Sequence, residues 1–199
     1  MARTASEKRP EQLLDEVADY LGANGVAELS LRPLAKAVGS SPRVLLYYFG
    51  SKEDLVVKAL GRLRERQRVT YERMKSLPFK TPSEACRAIW GHMSSPENAR
   101  LFRISLEIYA MALRQPERFA EYLRATIEDW LGFLSAPLLR KGYSESEARA
   151  HATVVLAGFR GFMLDYCASR DRPRVDCAIE LWLHALDAIP LRKENTNAE

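Results

Sequence analysis

The sequence predicts an all-α protein, and three observations carry that prediction. Apolar residues recur at i, i+3, i+4 spacing along nearly the whole chain. The alternating β-branched runs that a half-buried strand needs are almost absent. Proline, serine and glycine punctuate the periodic segments where helices start and stop. With 199 residues, 47% of them hydrophobic, the chain can bury a real core as one domain or two small ones.

The first helix buries Leu13, Leu14, Val17, Ala18 and Leu21 and ends near Asn24-Gly25. From Leu29 to Leu55 the chain then reads as two short helices, a tight turn between them, and the start of another helix. Ser30 is placed to cap the first of the pair, Pro33 is tolerated in its opening turn, and Leu34, Ala35 and Val38 give it one apolar face. Gly39 ends it. Ser41 followed by Pro42 is an N-cap with proline at the first helical position, so the second helix begins after the short turn of a helix-turn-helix. Ser51-Lys52-Glu53-Asp54 resembles a capping box, and Leu55, Val56, Ala59, Leu60 and Leu63 lead a further helix into the charged run from Arg62 to Arg73, expected to face water.

Lys75 to Pro82 holds two prolines and marks a boundary. The expected organisation is a helix-turn-helix domain over 1–52, a connecting helix over 53–77, a second domain over 78–191 and a frayed tail over 192–199. Helices in the second domain are expected over 82–93, 96–114, 116–141, 144–170 and 173–189, each opening near a Pro, Ser or Glu-rich start. No internal repeat or low-complexity tract interrupts them.

Charge is distributed unevenly. Residues 1–75 carry 14 Lys and Arg against 10 Asp and Glu, the rest 16 against 16, so the whole net charge of +4 belongs to the amino-terminal part. Between Leu29 and Lys52 the only formal charges are Arg32, Lys36, Arg43 and Lys52, all positive. A polyanion is the partner this pattern favours, double-stranded DNA above all. No apolar run is long enough to cross a bilayer and the first residues lack the apolar core of a signal peptide, so a cytoplasmic location is expected. Cys86, Cys167 and Cys177 are odd in number and lie in helical patterns, which favours reduced thiols.

No C-x-x-C or H-E-x-x-H is present and no cysteine pairs with a histidine at ligand spacing, so no metal or other cofactor is expected. A glycine-rich phosphate loop and a G-x-S-x-G elbow are equally absent, which argues against an enzyme.

The residues L-S-L-R-P-L-A-K-A-V-G and S-S-P-R-V-L-L-Y-Y-F-G-S-K-E-D-L resemble the tetracycline-repressor-like (TetR) family of bacterial transcription regulators over about the first third of the chain. The resemblance implies a homodimer that binds a palindromic operator and is released from it by a small ligand held in the second domain. It implies that Ser30 and Arg32 touch phosphate, that Pro42 to Tyr47 form the recognition helix after Ser41, and that Tyr47, Tyr48 and Lys52 approach the DNA backbone. Arg43 stands where many relatives have glycine, and Leu46 where many have tyrosine. Near the start of a helix in the major groove, Arg43 can pair with guanine O6 and N7, and Val44 can meet a thymine methyl. Lys52 holds a phosphate without reading sequence. For Tyr48, packing and phosphate contact both stand. The arm bearing Arg3, Lys8 and Arg9 reads as a solvated terminus, with a DNA groove as its other destination.

In the second domain the bulky residues Trp90, Phe102, Tyr109, Trp130, Phe133, Phe162 and Tyr166 are candidates to line a cavity for a largely apolar ligand, with plain core as the competing reading. Arg103, Glu107, His92, His151 and Asp165 are the polar groups near them. The last two helices carry more apolar surface than a solvent-facing pair needs. Gly158, Gly161, Val175, Ile179, Trp182 and Leu186 are therefore expected at a dimer interface, or else within the chain's own core. Two further functions stay open: a DNA-binding protein with no ligand, and a small-molecule carrier or enzyme whose basic end is a docking surface.

Overall fold

The structure, a computed structural model, describes residues 10–26, 29–75 and 81–189, apart from the side chains of Lys75 and Glu97. The arm with Arg3, Lys8 and Arg9, most of the proline-bearing junction and the tail over 192–199 lie outside these residues. The described residues form nine helices: α1 (Pro10–Asn24), α2 (Leu31–Ala37), α3 (Pro42–Phe49), α4 (Lys52–Lys75), α5 (Pro82–Met93), α6 (Pro96–Arg114), α7 (Pro116–Arg140), α8 (Glu145–Ser169) and α9 (Arg172–Asp187). The punctuation is chemical. Thr81 and Ser144 accept from the N–H groups of Glu84 and Glu147, Asp171 accepts from Arg174 N–H, and Pro82 and Pro173 occupy first-turn positions where no donor is missed.

Packing divides the chain into two compact units. The first holds α1, α2, α3, α4 as far as Arg68, and residues 103–122. Leu13, Val17, Ala18 and Leu21 of α1, Leu34 and Ala35 of α2, Leu45 and Phe49 of α3 and Leu55, Val56, Ala59 and Leu60 of α4 are all buried. Each such aliphatic side chain taken fully from water contributes roughly 1.5–3 kcal/mol, which holds three short helices together that would not persist alone. Ile104, Ile108 and Phe119 are buried as well. Glu107 reaches the loop after α1, where its Oε2 accepts the Val26 N–H at 2.7 Å. Gly25, at φ +80°, lies against the same carboxylate, and a Cβ there would stand 3.2 Å from Oε1.

The second unit is built from residues 69–102 and 123 onward, with a core of Tyr71, Cys86, Ile89, Trp90, Met93, Phe133, Phe159, Met163, Val175, Ile179, Leu183 and Leu186 among others. Helix α9 packs on both α5 and α8. Val175, Ile179 and Leu186, expected at a dimer interface, are buried at 1%, 1% and 6% exposure inside this core, because the apolar stripe of α9 is consumed by its own chain. Gly158 and Trp182 are likewise spent internally: the indole lies over Gly158 and makes edge contacts with Phe159 and Phe162. Gly161 alone of that set remains exposed, with open space beside it.

A Cβ placed on Gly158 would come within 2.3 Å of the Trp182 ring, whereas one on Gly91 meets nothing within 4 Å. Gly158→Ala is expected to lower unfolding free energy by about 1–3 kcal/mol despite its better helix propensity, and Gly91→Ala to raise it by up to about 1 kcal/mol. Urea unfolding followed by circular dichroism measures both.

Candidate nucleic-acid interface

The turn between α2 and α3 is closed by backbone. Gly39 adopts φ +62°, its N–H donates to the Lys36 carbonyl at 3.3 Å, and Ser40 N–H donates to the Ala35 carbonyl at 2.8 Å. This pair of bonds is a Schellman ending, and the left-handed residue at its centre is where glycine escapes the Cβ clash. Ser41 Oγ then accepts from Val44 N–H at 3.3 Å to start α3. Ser30 occupies the corresponding position before α2 with extended backbone, but its side chain makes no capping bond there.

With Leu45 and Phe49 turned inward, the remaining side chains of α3 are fixed outward. Arg43, Val44 and Leu46 are exposed, and Tyr47 is 82% exposed with its ring set edge-on to Tyr48 at 5.2 Å. Tyr48 is half-buried and also meets Phe49, so packing accounts for part of its surface. Gly50 ends the helix at φ +87°. Lys58 Nζ donates to the Phe49 carbonyl at 3.4 Å and lies 5.8 Å from its ring centre, placing a cation on the carboxyl end of α3.

The start of α4 is a reciprocal cap. Asp54 N–H donates to Ser51 Oγ at 3.0 Å, and Asp54 Oδ2 accepts from Ser51 N–H at 3.1 Å and from its hydroxyl at 2.6 Å. Those two bonds from Ser51 hold the Asp54 carboxyl below the usual carboxylate range. Lys52 follows directly, half-exposed.

Ion pairing separates the basic residues into two sets. Arg62 pairs with Glu11 and Asp15, Arg66 with Asp15 at 3.4 Å and Asp19 at 2.5 Å, and Arg68 with Glu65 at 2.8 Å. The charged run of α4 is therefore largely tied to α1 and to itself. Arg32, Lys36, Arg43 and Lys52 have no carboxylate partner among the described residues, so the surface of α2, α3 and the head of α4 carries unneutralised positive charge.

Residues 13–59 match the family described as "Bacterial regulatory proteins, tetR family". The match spans α1 from Leu13, the helix-turn-helix and the first turns of α4. A 111-residue stretch is 26% identical to the HTH-type transcriptional regulator BetI of Stenotrophomonas maltophilia (strain R551-3), covering 55% of this chain and 57% of that regulator's length. The fold matches a transcriptional regulator from Rhodococcus sp. Rha1 at TM-score 0.72 with 22% identity, over 92% of this chain and 100% of that one. A tetR-family regulator from Cytophaga hutchinsonii matches at TM-score 0.74 with 16% identity, over 97% and 100%. The nine described helices share with these solved structures a fold in which an amino-terminal helix-turn-helix is followed by further helices.

The second unit contains a cavity of about 210 Å³ lined by α5, α7, α8 and the end of α4. Of the seven bulky residues expected to line one, only Phe133 does. Trp90 Nε1 donates to Asp176 at 2.7 Å and its ring meets Tyr166; Trp130 packs on Tyr71 at 4.4 Å; Phe162 packs on Trp182. Phe102 packs on the second unit's core, while Tyr109 belongs to the first unit. Aromatic bulk here fills space rather than surrounding it. The lining is instead aliphatic, with Met74, Ile89, Leu138 and Val155, and sequence reasoning had no signal for it beyond apolar periodicity. Among the polar candidates, Glu107 serves the first unit, Asp165 binds Arg174 through both oxygens at 2.9 and 2.6 Å, and the His92 carbonyl accepts from Asn98. Arg103 is exposed, and His151 lines the cavity. Cys86 also lines it, and burial, reinforced by the Asp187 charge, pushes its thiol up to about 12. All three cysteines are free.

A carboxyl whose acidity is raised on folding stabilises the fold above its unfolded pKa, and that contribution disappears as pH falls through the folded value. Asp54 and Asp165, the latter held low by Arg174, are such groups. Stability is expected to decline with acid below about pH 5, and Asp54→Asn should flatten that decline in urea midpoints measured across the range.

Proposed function

We propose that the protein is a dimeric transcriptional repressor that binds a palindromic operator through α3 and leaves it when a small, largely apolar ligand occupies the second unit. The observation that carries the DNA-binding half is the combination of a 82%-exposed Tyr47 with unpaired Arg43 on the same short helix, since neither exposure is explained by the fold of the unit itself. Arg43, at the second residue of α3, is placed to read guanine, and Val44 beside it to meet a thymine methyl. Ser30, Arg32, Tyr47 and Lys52 supply hydroxyl, cationic and phenolic donors suited to phosphate, and Ser41 and Pro42 set where α3 begins. Lys52 stands at the first residue of α4, though Asp54 already occupies part of that helix's positive end.

The dimer reading rests on a stripe left uncovered once the interior of α9 is filled. Val154, Ala157, Gly161 and Leu164 on α8 and Leu181 and Ala185 on α9 are exposed at helical spacing, Leu181 at 75%. Small residues there let helix backbones approach, and a second copy would present the same stripe about a two-fold axis, matching a palindrome in the DNA. The cavity supports the ligand reading: differential affinity for the DNA-free form is all that release requires. No helix of the described residues is long and apolar enough to cross a membrane, which accords with a cytoplasmic regulator.

Fluorescence anisotropy with the chain's own upstream DNA tests the reading. Arg43→Ala should remove about 1–3 kcal/mol of preference at one base pair per half-site, whereas Lys52→Ala should weaken all sequences and reduce the salt slope by about one. Equal effects of both on every sequence would refute the division of roles. Leu181→Arg should shift the protein from dimer to monomer in sedimentation equilibrium and weaken full-operator binding far more than half-site binding.

A further inference from the structure

Most of the cavity in the second unit is aliphatic, but its polar groups are unevenly provided for. The Thr81 hydroxyl is already committed, accepting from Glu84 N–H at 3.1 Å and bonded to Ser83 Oγ at 3.1 Å. His151 is different: it is 8% exposed, it lines the cavity, and among the described residues its imidazole has no hydrogen-bond partner. Its ring nitrogens are not sealed from solvent, so a bound molecule with an acceptor atom can take the hydrogen bond that no described residue accepts. Burial holds this imidazole below its usual pKa against the opposing Asp187 charge, so near pH 7 it is neutral and one ring nitrogen is a donor.

Two cations stand at the same cavity, Arg140 in the last turn of α7 and Lys141 just beyond it. Cations at a helix carboxyl end are ordinary, because they complement the terminal carbonyls. These two are exposed, and neither has an ion-pair partner among the described residues. Pro137, inside α7 and also in the lining, has no N–H to give the Phe133 carbonyl. The volume of about 210 Å³ lies below the roughly 300–1,000 Å³ of pockets for drug-sized ligands, which favours a compact molecule.

We infer that the cavity takes a compact apolar monoanion: a short hydrocarbon body against Met74, Ile89, Phe133, Leu138 and Val155, with a carboxylate that accepts from His151 and is balanced by Arg140 and Lys141. The inference rests on the regulator reading, since it names the chemical class of the ligand that reading leaves open. His151 sets specificity by satisfying the anion within an otherwise apolar wall, and the two cations select its sign.

The test is thermal unfolding of the full chain with three probes of equal chain length: octanoate, 1-octanol and octylamine, the last cationic at neutral pH. Octanoate should raise Tm the most and octylamine the least. His151→Leu, which replaces an unpartnered polar group by an apolar one and should still fold, should weaken octanoate binding about tenfold and leave 1-octanol binding nearly unchanged. His151→Asn, able to donate, should restore part of it. The exposed pair Arg140→Ala with Lys141→Ala should remove the preference for octanoate over octylamine. Equal shifts with all three probes, the largest shift with octylamine, no shift with any, or variants that bind octanoate like the wild type would each overturn the inference. The Tm readout involves no DNA. An operator titration on the same samples therefore separates failure of this ligand class from failure of the DNA-binding reading.

Discussion

The turn at Gly39 is the constraint on which the amino-terminal unit depends. One left-handed residue lets the N–H groups of Gly39 and Ser40 close the end of α2, and the chain is then free to start α3 two residues later on Ser41. That interval fixes the phase of α3. Leu45 and Phe49 face the core because of it, and Arg43, Val44, Leu46 and Tyr47 are presented to solvent by the same rotation. A side chain with a Cβ at position 39 would be strained there whatever its chemistry, so the solvent-facing surface of α3 is specified several residues before it in sequence.

Electrostatics divides along similar lines. The chain's positive excess lies at its amino end, yet several of those cations are answered within the fold: Arg62 and Arg66 by the acids of α1, Arg68 by Glu65. On the helix-turn-helix and the head of α4, Arg32, Lys36, Arg43 and Lys52 remain without such partners among the described residues. Exposed pairs of this kind add little stability each. Their greater effect is to answer much of the charge of α4 within the fold.

Helix boundaries were highly legible in the sequence, because capping chemistry is local: Ser41-Pro42, Thr81-Pro82, Ser144 and Asp171 each start a helix within a residue or two of the expected place. The resemblance to tetR-family regulators was legible for the same reason, since the matched signature is a run of contiguous residues. Long-range packing was not. That residues 103–122 pack with the amino-terminal unit, through contacts such as Glu107 to Val26, depends on chain path rather than periodicity. An apolar stripe such as Val175, Ile179 and Leu186 reads identically whether it meets its own chain or another copy, and only the burial of that stripe against the second unit's core decides between them. For Trp90, Trp130, Phe162 and Tyr166 the sequence left lining and core both open for a related reason: sequence reports bulk, and whether bulk fills or surrounds a void is set by its neighbours.

Cys86 adds a chemical property to the wall it helps to form. Only the ionised sulfur is an effective nucleophile, and a thiol pushed up to about 12 supplies almost none of it at physiological pH. The sulfur therefore contributes to this wall as a small apolar group and a poor nucleophile.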